Sequence, residues 1–216
     1  MSVLKPQATA NATPAADVEP LEQRAAAVQQ VPLQDEAAPK SELPMDYPRW
    51  LTQELRSDQA GEVGAVMIYR GILAVSRNTA IREFAEHHLQ TERKHLAEIN
   101  ALLPRAQRSR LLPLWRIAGF LTGALPALFG AKAVFATIEA VETFVDQHYA
   151  AQIARLDAEQ SFPNLRATLN QCRLDEVAHR DEAADNLSSS PGMLLSTWCR
   201  IVGGGSAFAV SLAKQF

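Results

Sequence analysis

The pattern Glu…Glu-x-x-His occurs twice in this chain, and its side chains are of types that bind metal ions. Its six residues are Glu62, Glu92, His95, Glu142, Glu176 and His179. Residues at positions i and i+3 lie on the same face of a helix, so each Glu-x-x-His pair can point at one site. Carboxylate oxygens can bridge two iron ions, and one neutral imidazole can complete the coordination of each ion. The pattern therefore predicts a carboxylate-bridged di-iron site in a four-helix bundle.

The spacing of the two copies strengthens this prediction. Taken alone, either Glu-x-x-His pair could be an ordinary solvated contact on a surface helix. The preceding glutamate, however, lies 30 residues upstream of its pair in the first copy and 34 residues upstream in the second. Both intervals suit a helix, a turn and part of a second helix. A repeat of this kind favours a metal site over two independent surface contacts.

The first ligand candidate, Glu62, must be positioned by a helix that ends near Ser76. A short lead-in helix is expected at Trp50–Arg56, and Asp58 is expected to cap the helix that carries Glu62. One stripe of that helix contains Glu62, Val66, Tyr69 and Leu73. A carboxylate on such a buried face is costly unless it is paired or bound to metal.

The second helix is expected to begin after Asn78, which can cap it, and to end near Leu103. Its stripe contains Ile81, Phe84, Ala85, His88, Glu92 and His95. His88 faces the same way as Glu92, so it could support the site or contact a substrate; a satisfied imidazole on the surface or in the core is the alternative. His87 points elsewhere and is expected to be solvated.

The second copy of the pattern predicts two further long helices. The third, at about 133–156, carries Glu142, and the fourth, at about 165–187, carries Glu176 and His179. Asp175 could accept the free imidazole N–H of a ligand across the bundle and so fix its tautomer. Glu139 could face the site, although an exposed position suits it better.

An unusually apolar stretch, Leu111 to Ile138, separates the two halves, and its only charged residues are Arg116 and Lys132. Its uncharged core is too short and too interrupted by proline and glycine for a transmembrane helix. A segment in the membrane interface and a buried core helix are the two alternatives. After Pro191 the chain is again largely apolar, and a further helix is expected at 193–216, packed on the bundle or lying at the membrane.

The composition excludes several classes of protein. With 216 residues, 47% of them hydrophobic, the chain can build one substantial core, and a net charge of −3 gives no basis for nucleic acid binding. Residues 1 to 48 contain seven of the twelve prolines and no periodicity, so a disordered tail is expected before a single domain at 49–216. Cys172 and Cys199 match no disulfide framework, zinc site or redox motif, and two buried thiols in a reducing, bacterial compartment are expected.

Several short motifs resemble the demethoxyubiquinone hydroxylase family, and the resemblance covers about residues 55 to 216. They are Ala60-Gly61-Glu62-Val63-Gly64-Ala65, Ile68-Tyr69-Arg70-Gly71, Glu92-Arg93-Lys94-His95-Leu96, Pro113-Leu114-Trp115, Ala118-Gly119-Phe120, Val141-Glu142, His148-Tyr149, Gln152-Ile153 and Asp175-Glu176 with His179. The chain departs from the family at Val63, where a Tyr is common, and at Gln59, where a His is frequent. Both departures leave the ligand set complete.

The resemblance implies an all-α, ferritin-like four-helix bundle with an apolar insertion at the membrane interface between helices 2 and 3 and an extra C-terminal helix. It implies that the six residues above bind two iron ions, with Glu92 and Glu176 shared between them. It also places His148 and Tyr149 near the substrate, as candidate catalytic residues. The implied location is the cytoplasmic side of a bacterial inner membrane, as a peripheral protein.

The implied reaction is an O2-dependent hydroxylation of the ring of a demethoxyubiquinone or its quinol, a late step of ubiquinone biosynthesis. Electrons must come from an external reductant, which is a reductase, reduced nicotinamide directly, or the quinol itself, because the chain has no dinucleotide-binding fingerprint and no Cys cluster. The polyprenyl tail of the quinone gives the apolar stretch a purpose, which favours the interfacial alternative. Trp115, Phe120, Leu121 and Leu125 are then candidate contacts. Other proteins of ubiquinone biosynthesis are implied partners, and nucleic acid is not.

Three other functions compete with this hypothesis. Bacterioferritin and rubrerythrin are similar in repeating Glu…Glu-x-x-His, which would indicate iron storage or peroxide reduction; the apolar insertion and the lack of a Cys-x-x-Cys motif argue against them. A di-iron RNA hydroxylase should have a basic face, which is not expected in this acidic chain. A metal-free helical interaction protein would leave six inward-pointing ionisable residues without a purpose.

Overall fold

A computed structural model describes residues 47–216, and the regular secondary structure of this part of the chain is all helix, without strands. The helices are Arg49–Val75 (α1), Thr79–Leu102 (α2), Leu112–Ala127 (α3), Ala131–Ala158 (α4), Pro163–Asp185 (α5) and Met193–Ala213 (α6), with a short 3-10 helix at Arg105–Gln107. The predicted all-α class is confirmed. The predicted tail, residues 1 to 48, lies outside the described residues except for Tyr47 and Pro48, and its disorder stays a prediction.

Helices α1, α2, α4 and α5 form the four-helix bundle, with α3 inserted between its two halves and α6 added at the end. Each bundle helix buries one apolar stripe, as the sequence periodicity predicts. One core cluster is formed by Leu51, Leu55, Ile99, Leu103, Tyr149, Ile153, Leu156, Leu165, Leu169 and Cys172. Cys172 is therefore buried as predicted, whereas Cys199 is only half-buried; both thiols are free.

The helix boundaries confirm one predicted cap and correct another. Asn78 caps α2, because its Oδ1 accepts a hydrogen bond from the backbone N–H of Ile81 at 3.1 Å. Asp58 is not a cap: α1 runs without interruption from Arg49 through Asp58, and the predicted lead-in helix is simply its first two turns. No proline or glycine breaks the chain between Arg49 and Ala60. The carboxylate of Asp58 is instead buried and accepts a hydrogen bond from Gln152.

Helix α3 packs tightly on α1 through glycines. A Cβ atom at Gly119 would overlap the carbonyl oxygen of Gly64, and one at Gly123 would overlap that of Ile68. The opposite face of α3 is exposed, and its large side chains are Leu114, Ile117, Leu121 and Leu125. The alternative of a fully buried core helix is therefore wrong, because the glycine face alone meets the bundle.

Replacing Gly123 by Ala should destabilise the protein, because the added methyl group has no space against α1. We expect a loss of roughly 1–3 kcal/mol in the free energy of unfolding, the usual range for overpacking. Gly204→Ala on α6 is the matched control, since a Cβ there meets nothing within 4 Å. This control should be neutral or gain up to about 1 kcal/mol, because Ala favours a helix over Gly. Chemical denaturation measures the free energy of unfolding of both variants. Equal changes in the two variants would contradict the close packing of α3 on α1.

Helix α6 lies along the bundle and contacts α4 and α1. The indole N–H of Trp198 donates to Thr137 Oγ1 at 2.9 Å, and Cys199 Sγ donates to the carbonyl oxygen of Ala136 at 3.3 Å. Within residues 47–216, α6 is the one helix whose length and composition would suit a membrane span. Its outer face exposes Met193, Leu194, Ile201 and Phe208. The predicted C-terminal helix is confirmed.

Candidate metal centre

The six residues of the repeated pattern converge at the centre of the bundle. Each of them is at most 4% exposed. They fall into two groups whose donor atoms lie within 4.8 Å of one another: Glu62, Glu92, His95 and Glu176 in the first, Glu92, Glu142, Glu176 and His179 in the second. Glu92 and Glu176 belong to both groups. Each group could hold one metal ion, with these two carboxylates shared.

The imidazoles connect the two shared carboxylates across the bundle. His95 Nδ1 lies 3.0 Å from Glu176 Oε1, and His179 Nδ1 lies 3.1 Å from both Glu92 Oε1 and Glu176 Oε2. Several buried atoms that could coordinate a metal ion have no hydrogen-bond partner. They are Glu62 Oε2, both oxygens of Glu92, Glu176 Oε2 and His179 Nδ1. Buried polar atoms are rarely unsatisfied, so a ligand for them is expected, and an O- and N-donor set of this kind suits iron.

The carboxylates cannot all be ionised in this dry site without added positive charge. Burial, together with the neighbouring Glu176, raises the pKa of Glu62 to about 7 and raises the pKa values of Glu92 and Glu142 well above their usual range. Burial would also raise the pKa of Glu176, but the neighbouring imidazoles of His179 and His95 lower it to about 2. Two divalent cations would supply the missing charge.

Outer partners orient the candidate ligands. His95 Nε2 lies 3.0 Å from Asp175 Oδ2, which confirms the contact predicted from the sequence. Such a carboxylate fixes the imidazole tautomer and keeps Nδ1 turned towards the metal site. The hydroxyl of Tyr149 donates to Glu62 Oε1 at 2.6 Å.

Tyr69 forms a matching contact that the sequence reasoning missed. Its hydroxyl donates to Glu142 Oε1 at 3.5 Å. Tyr69 follows Glu62 by seven residues on α1, and Tyr149 follows Glu142 by seven residues on α4. Each tyrosine therefore donates to the glutamate of the other helix. The repeated Glu-x6-Tyr spacing is the signal that could have revealed both contacts.

His148 belongs to a polar network beside the centre. Its Nε2 lies 3.0 Å from Asp58 Oδ1 and 3.3 Å from Ser57 Oγ, and Gln152 lies one turn further along α4. Asp58 also accepts a hydrogen bond from Gln152 Nε2 at 2.7 Å. This network fixes the position of the imidazole, which lines an apolar cavity beside the centre.

His88 is buried, unlike His87, which is exposed as predicted. The His88 ring packs against His179 with 4.1 Å between ring centroids. Neither of its ring nitrogens has an aligned hydrogen bond, although Nε2 lies 3.0 Å from Glu182 Oε2. Burial and the neighbouring His179 and His87 lower the pKa of His88 to about 3, so the ring is neutral.

An apolar cavity of about 370 Å³ extends from the centre to the surface between α1, α3, α4 and α6. Glu62, Glu142, Glu176, His148 and Tyr149 all line it. Its apolar walls include Ala65, Ile68, Trp115, Val145, Val202 and Ala209. The cavity opens beside Ile201 and Phe208, which line it and are nevertheless 62% and 69% exposed.

The cavity lining corrects part of the contact prediction for α3. Trp115 lines the cavity, as expected for a substrate contact. Leu121 and Leu125 instead belong to the exposed outer face, and Phe120 is not among the lining residues. The glycine face of α3 meets α1, so these larger side chains turn away from the cavity.

Comparison with known proteins gives one family and several relatives. The family model for "Ubiquinone biosynthesis protein COQ7" matches residues 49–213. The 3-demethoxyubiquinol 3-hydroxylase of Rhodospirillum rubrum is 45% identical over 59% of this chain and 60% of its own length. The NADPH-dependent mitochondrial 3-demethoxyubiquinone 3-hydroxylase of Mus musculus is 34% identical over 75% of this chain and 76% of its own length. The mitochondrial 5-demethoxyubiquinone hydroxylase of Saccharomyces cerevisiae is 31% identical over 70% and 75%.

Proposed function

Since the chain belongs to the family of the ubiquinone biosynthesis protein COQ7, we propose that it hydroxylates the ring of a demethoxyubiquinone or demethoxyubiquinol with O2. The names of its relatives support this substrate class. One structural observation supports it most: an apolar cavity leads from the surface to a buried cluster of four carboxylates and two imidazoles. A bound metal and an apolar substrate can meet there.

The metal in this proposal is a pair of iron ions. Glu62, His95 and the shared carboxylates would hold one ion, and Glu142, His179 and the same shared carboxylates would hold the other. When bound, such a pair supplies the two-electron chemistry that activates O2. The ligand count predicts about two iron ions per chain.

Side chains around the centre orient the candidate ligands and contact the substrate. Asp175 fixes the tautomer of His95, and the hydroxyls of Tyr69 and Tyr149 each hold one glutamate in place. His148 lines the cavity with its position fixed by Asp58, so it is suited to contact the quinone ring. The apolar walls exclude water around the reacting atoms, which strengthens electrostatic interactions there.

The quinone would enter from a membrane surface. Its polyprenyl tail is insoluble in water, and the cavity opens beside exposed apolar side chains of α6, next to the exposed face of α3. We place these two faces in the interface of a bacterial inner membrane, on the cytoplasmic side, without crossing it. The apolar cavity favours hydroxylation over iron storage or peroxide reduction, since small polar substrates do not need it.

We propose that an external reductant supplies the electrons for the reaction. One oxygen atom of O2 enters the ring and the other leaves as water, which requires two electrons. Reduced nicotinamide, directly or through the quinol, is the proposed donor, and several relatives are named as NADPH-dependent. We also propose that other proteins of ubiquinone biosynthesis bind this chain.

The function is tested by extracting quinones from a strain that lacks this protein. Demethoxyubiquinone should accumulate, and the intact protein should restore ubiquinone. The test variant is Asp175→Asn, which keeps the shape of the side chain but weakens its hold on His95; it should restore ubiquinone more slowly. A normal quinone pool in the deletion strain would contradict the proposal.

Membrane docking predicts a specific loss in a double variant of α3. Leu121→Glu with Leu125→Glu should weaken binding to phospholipid vesicles about a hundredfold, because roughly 3 kcal/mol of leucine burial is removed. Leu174→Glu on α5 is the control, since this leucine is 52% exposed but belongs to neither docking face. Vesicle co-sedimentation measures the binding of the wild type, the double variant and the control. Equal binding of all three would rule out docking through the exposed face of α3.

A further inference from the structure

The alternation of histidine and glutamate across α2 and α5 continues one step beyond the six candidate ligands. The two helices run in opposite directions, and three histidine–glutamate pairs face each other in succession. From the centre outwards these are His95 with Glu176 at 3.0 Å, Glu92 with His179 at 3.1 Å, and His88 with Glu182 at 3.0 Å. The first two pairs belong to the candidate metal centre, and the third reaches the surface.

The outermost pair, His88 with Glu182, has the features of a metal site. The His88 side chain is 2% exposed and has no aligned hydrogen bond at either ring nitrogen, whereas Glu182 is 47% exposed. Two donor atoms that each lie about 2.1 Å from a cation, at right angles to one another, are about 3 Å apart. The 3.0 Å between His88 Nε2 and Glu182 Oε2 allows both atoms to bind the same cation. Glu182 is thus open to solvent, whereas His88 is buried against His179.

We propose that Glu182 and His88 form the entry site through which Fe2+ reaches the metal centre, an inference that depends on the iron centre proposed above. Glu182 captures the hydrated ion at the surface. The imidazole of His88, which packs against His179, then replaces part of its water shell, and the ion moves on to His179 and Glu92. No oxidation or reduction is involved, and each step exchanges oxygen or nitrogen ligands around the same ion.

The cavity on the other side of the centre does not suit this task. Its walls are apolar, and moving a hydrated cation through them would cost several kcal/mol without compensating ligands. The histidine–glutamate pairs provide a polar ligand at each step. Substrate and metal would therefore approach the centre from opposite sides, so that a bound quinone does not block iron loading.

The test measures iron uptake by the full chain after iron has been removed. Fe2+ is added without oxygen, and the fraction that a strong chelator cannot remove is followed in time. We expect Glu182→Gln to slow uptake about tenfold, since it removes the charged ligand that can hand the ion to His88 Nε2, 3.0 Å away. His88→Leu combined with Glu182→Gln should slow it further. Both variants should still reach the wild-type iron content after long incubation.

Glu86→Gln is the matched control, because Glu86 is an exposed carboxylate on α2 that pairs with Arg82 and faces away from the pairs described. It should load at the wild-type rate. Unchanged uptake by Glu182→Gln would overturn the entry site alone, as would an equal slowing by Glu86→Gln. A lower final iron content in the variants would also overturn it, by making the pair a permanent ligand. A wild-type protein that takes up no iron would overturn the metal centre and the entry site together.

Discussion

Replacing Glu176 by Ala is expected to remove most of the bound iron and to abolish hydroxylation. Glu176 belongs to both groups of donor atoms, and its two oxygens lie 3.0 Å from His95 Nδ1 and 3.1 Å from His179 Nδ1. In the proposed centre its loss takes one ligand from each ion, removes the carboxylate nearest to His95 Nδ1, and leaves His179 Nδ1 with Glu92 alone at 3.1 Å. We expect activity to fall by about a thousandfold or more, equivalent to about 4 kcal/mol of transition-state stabilisation.

Asp181→Ala is the control for Glu176→Ala. Asp181 lies on the same helix, and its side chain is 60% exposed and paired with Arg180. Iron content by metal analysis and product formation by chromatography should both match the wild type in this control. A Glu176→Ala protein that retained about two iron ions per chain would contradict the assignment of this residue as a shared ligand.

Filling the cavity should abolish turnover while leaving the metal centre intact. Ala65 on α1 and Ala209 on α6 line the cavity from different helices, and neither belongs to the candidate ligand set. A tryptophan at either position occupies much of the space that a quinone ring and the start of its tail need. We expect Ala65→Trp and Ala209→Trp to lower kcat/KM for a long-tailed demethoxyubiquinone about a hundredfold, or about 2.7 kcal/mol.

Iron content distinguishes a blocked cavity from a damaged protein, because both tryptophan variants should bind as much iron as the wild type. Leu174→Trp on α5 is the control, since this position is exposed and does not line the cavity. Wild-type activity in both cavity variants would mean that the substrate reaches the metal by another route.

The sequence predicts the bundle well because its helices carry their own boundaries and stripes. Asn78 supplies a local cap, and the stripe from Ile81 to His95 faces inwards, so α2 is defined by residues close in the chain. The ligand candidates are predictable for the same reason, since i and i+3 positions are fixed by helix geometry. Asp58 illustrates the limit of this reasoning. A short acidic residue can cap a helix or pair inside the bundle, and its partners, His148 and Gln152, are about ninety residues away.

Long-range contacts account for the rest of what was missed. The exposure of Leu121 and Leu125 depends on α3 meeting α1 through glycines, which hydropathy alone does not distinguish from a buried helix. The cavity wall on α6 and the pairing of His88 with Glu182 likewise depend on how distant helices are placed side by side. The seven-residue Glu–Tyr repeat is different, because it could have been read from the sequence.

The most direct test of the proposed centre is Mössbauer spectroscopy of the full chain loaded with 57Fe, combined with metal analysis. If the six residues hold a carboxylate-bridged pair, the oxidised protein should contain about two iron ions per chain, magnetically coupled with no net spin. One iron ion or fewer per chain, or a spectrum of isolated high-spin ions, would contradict the account.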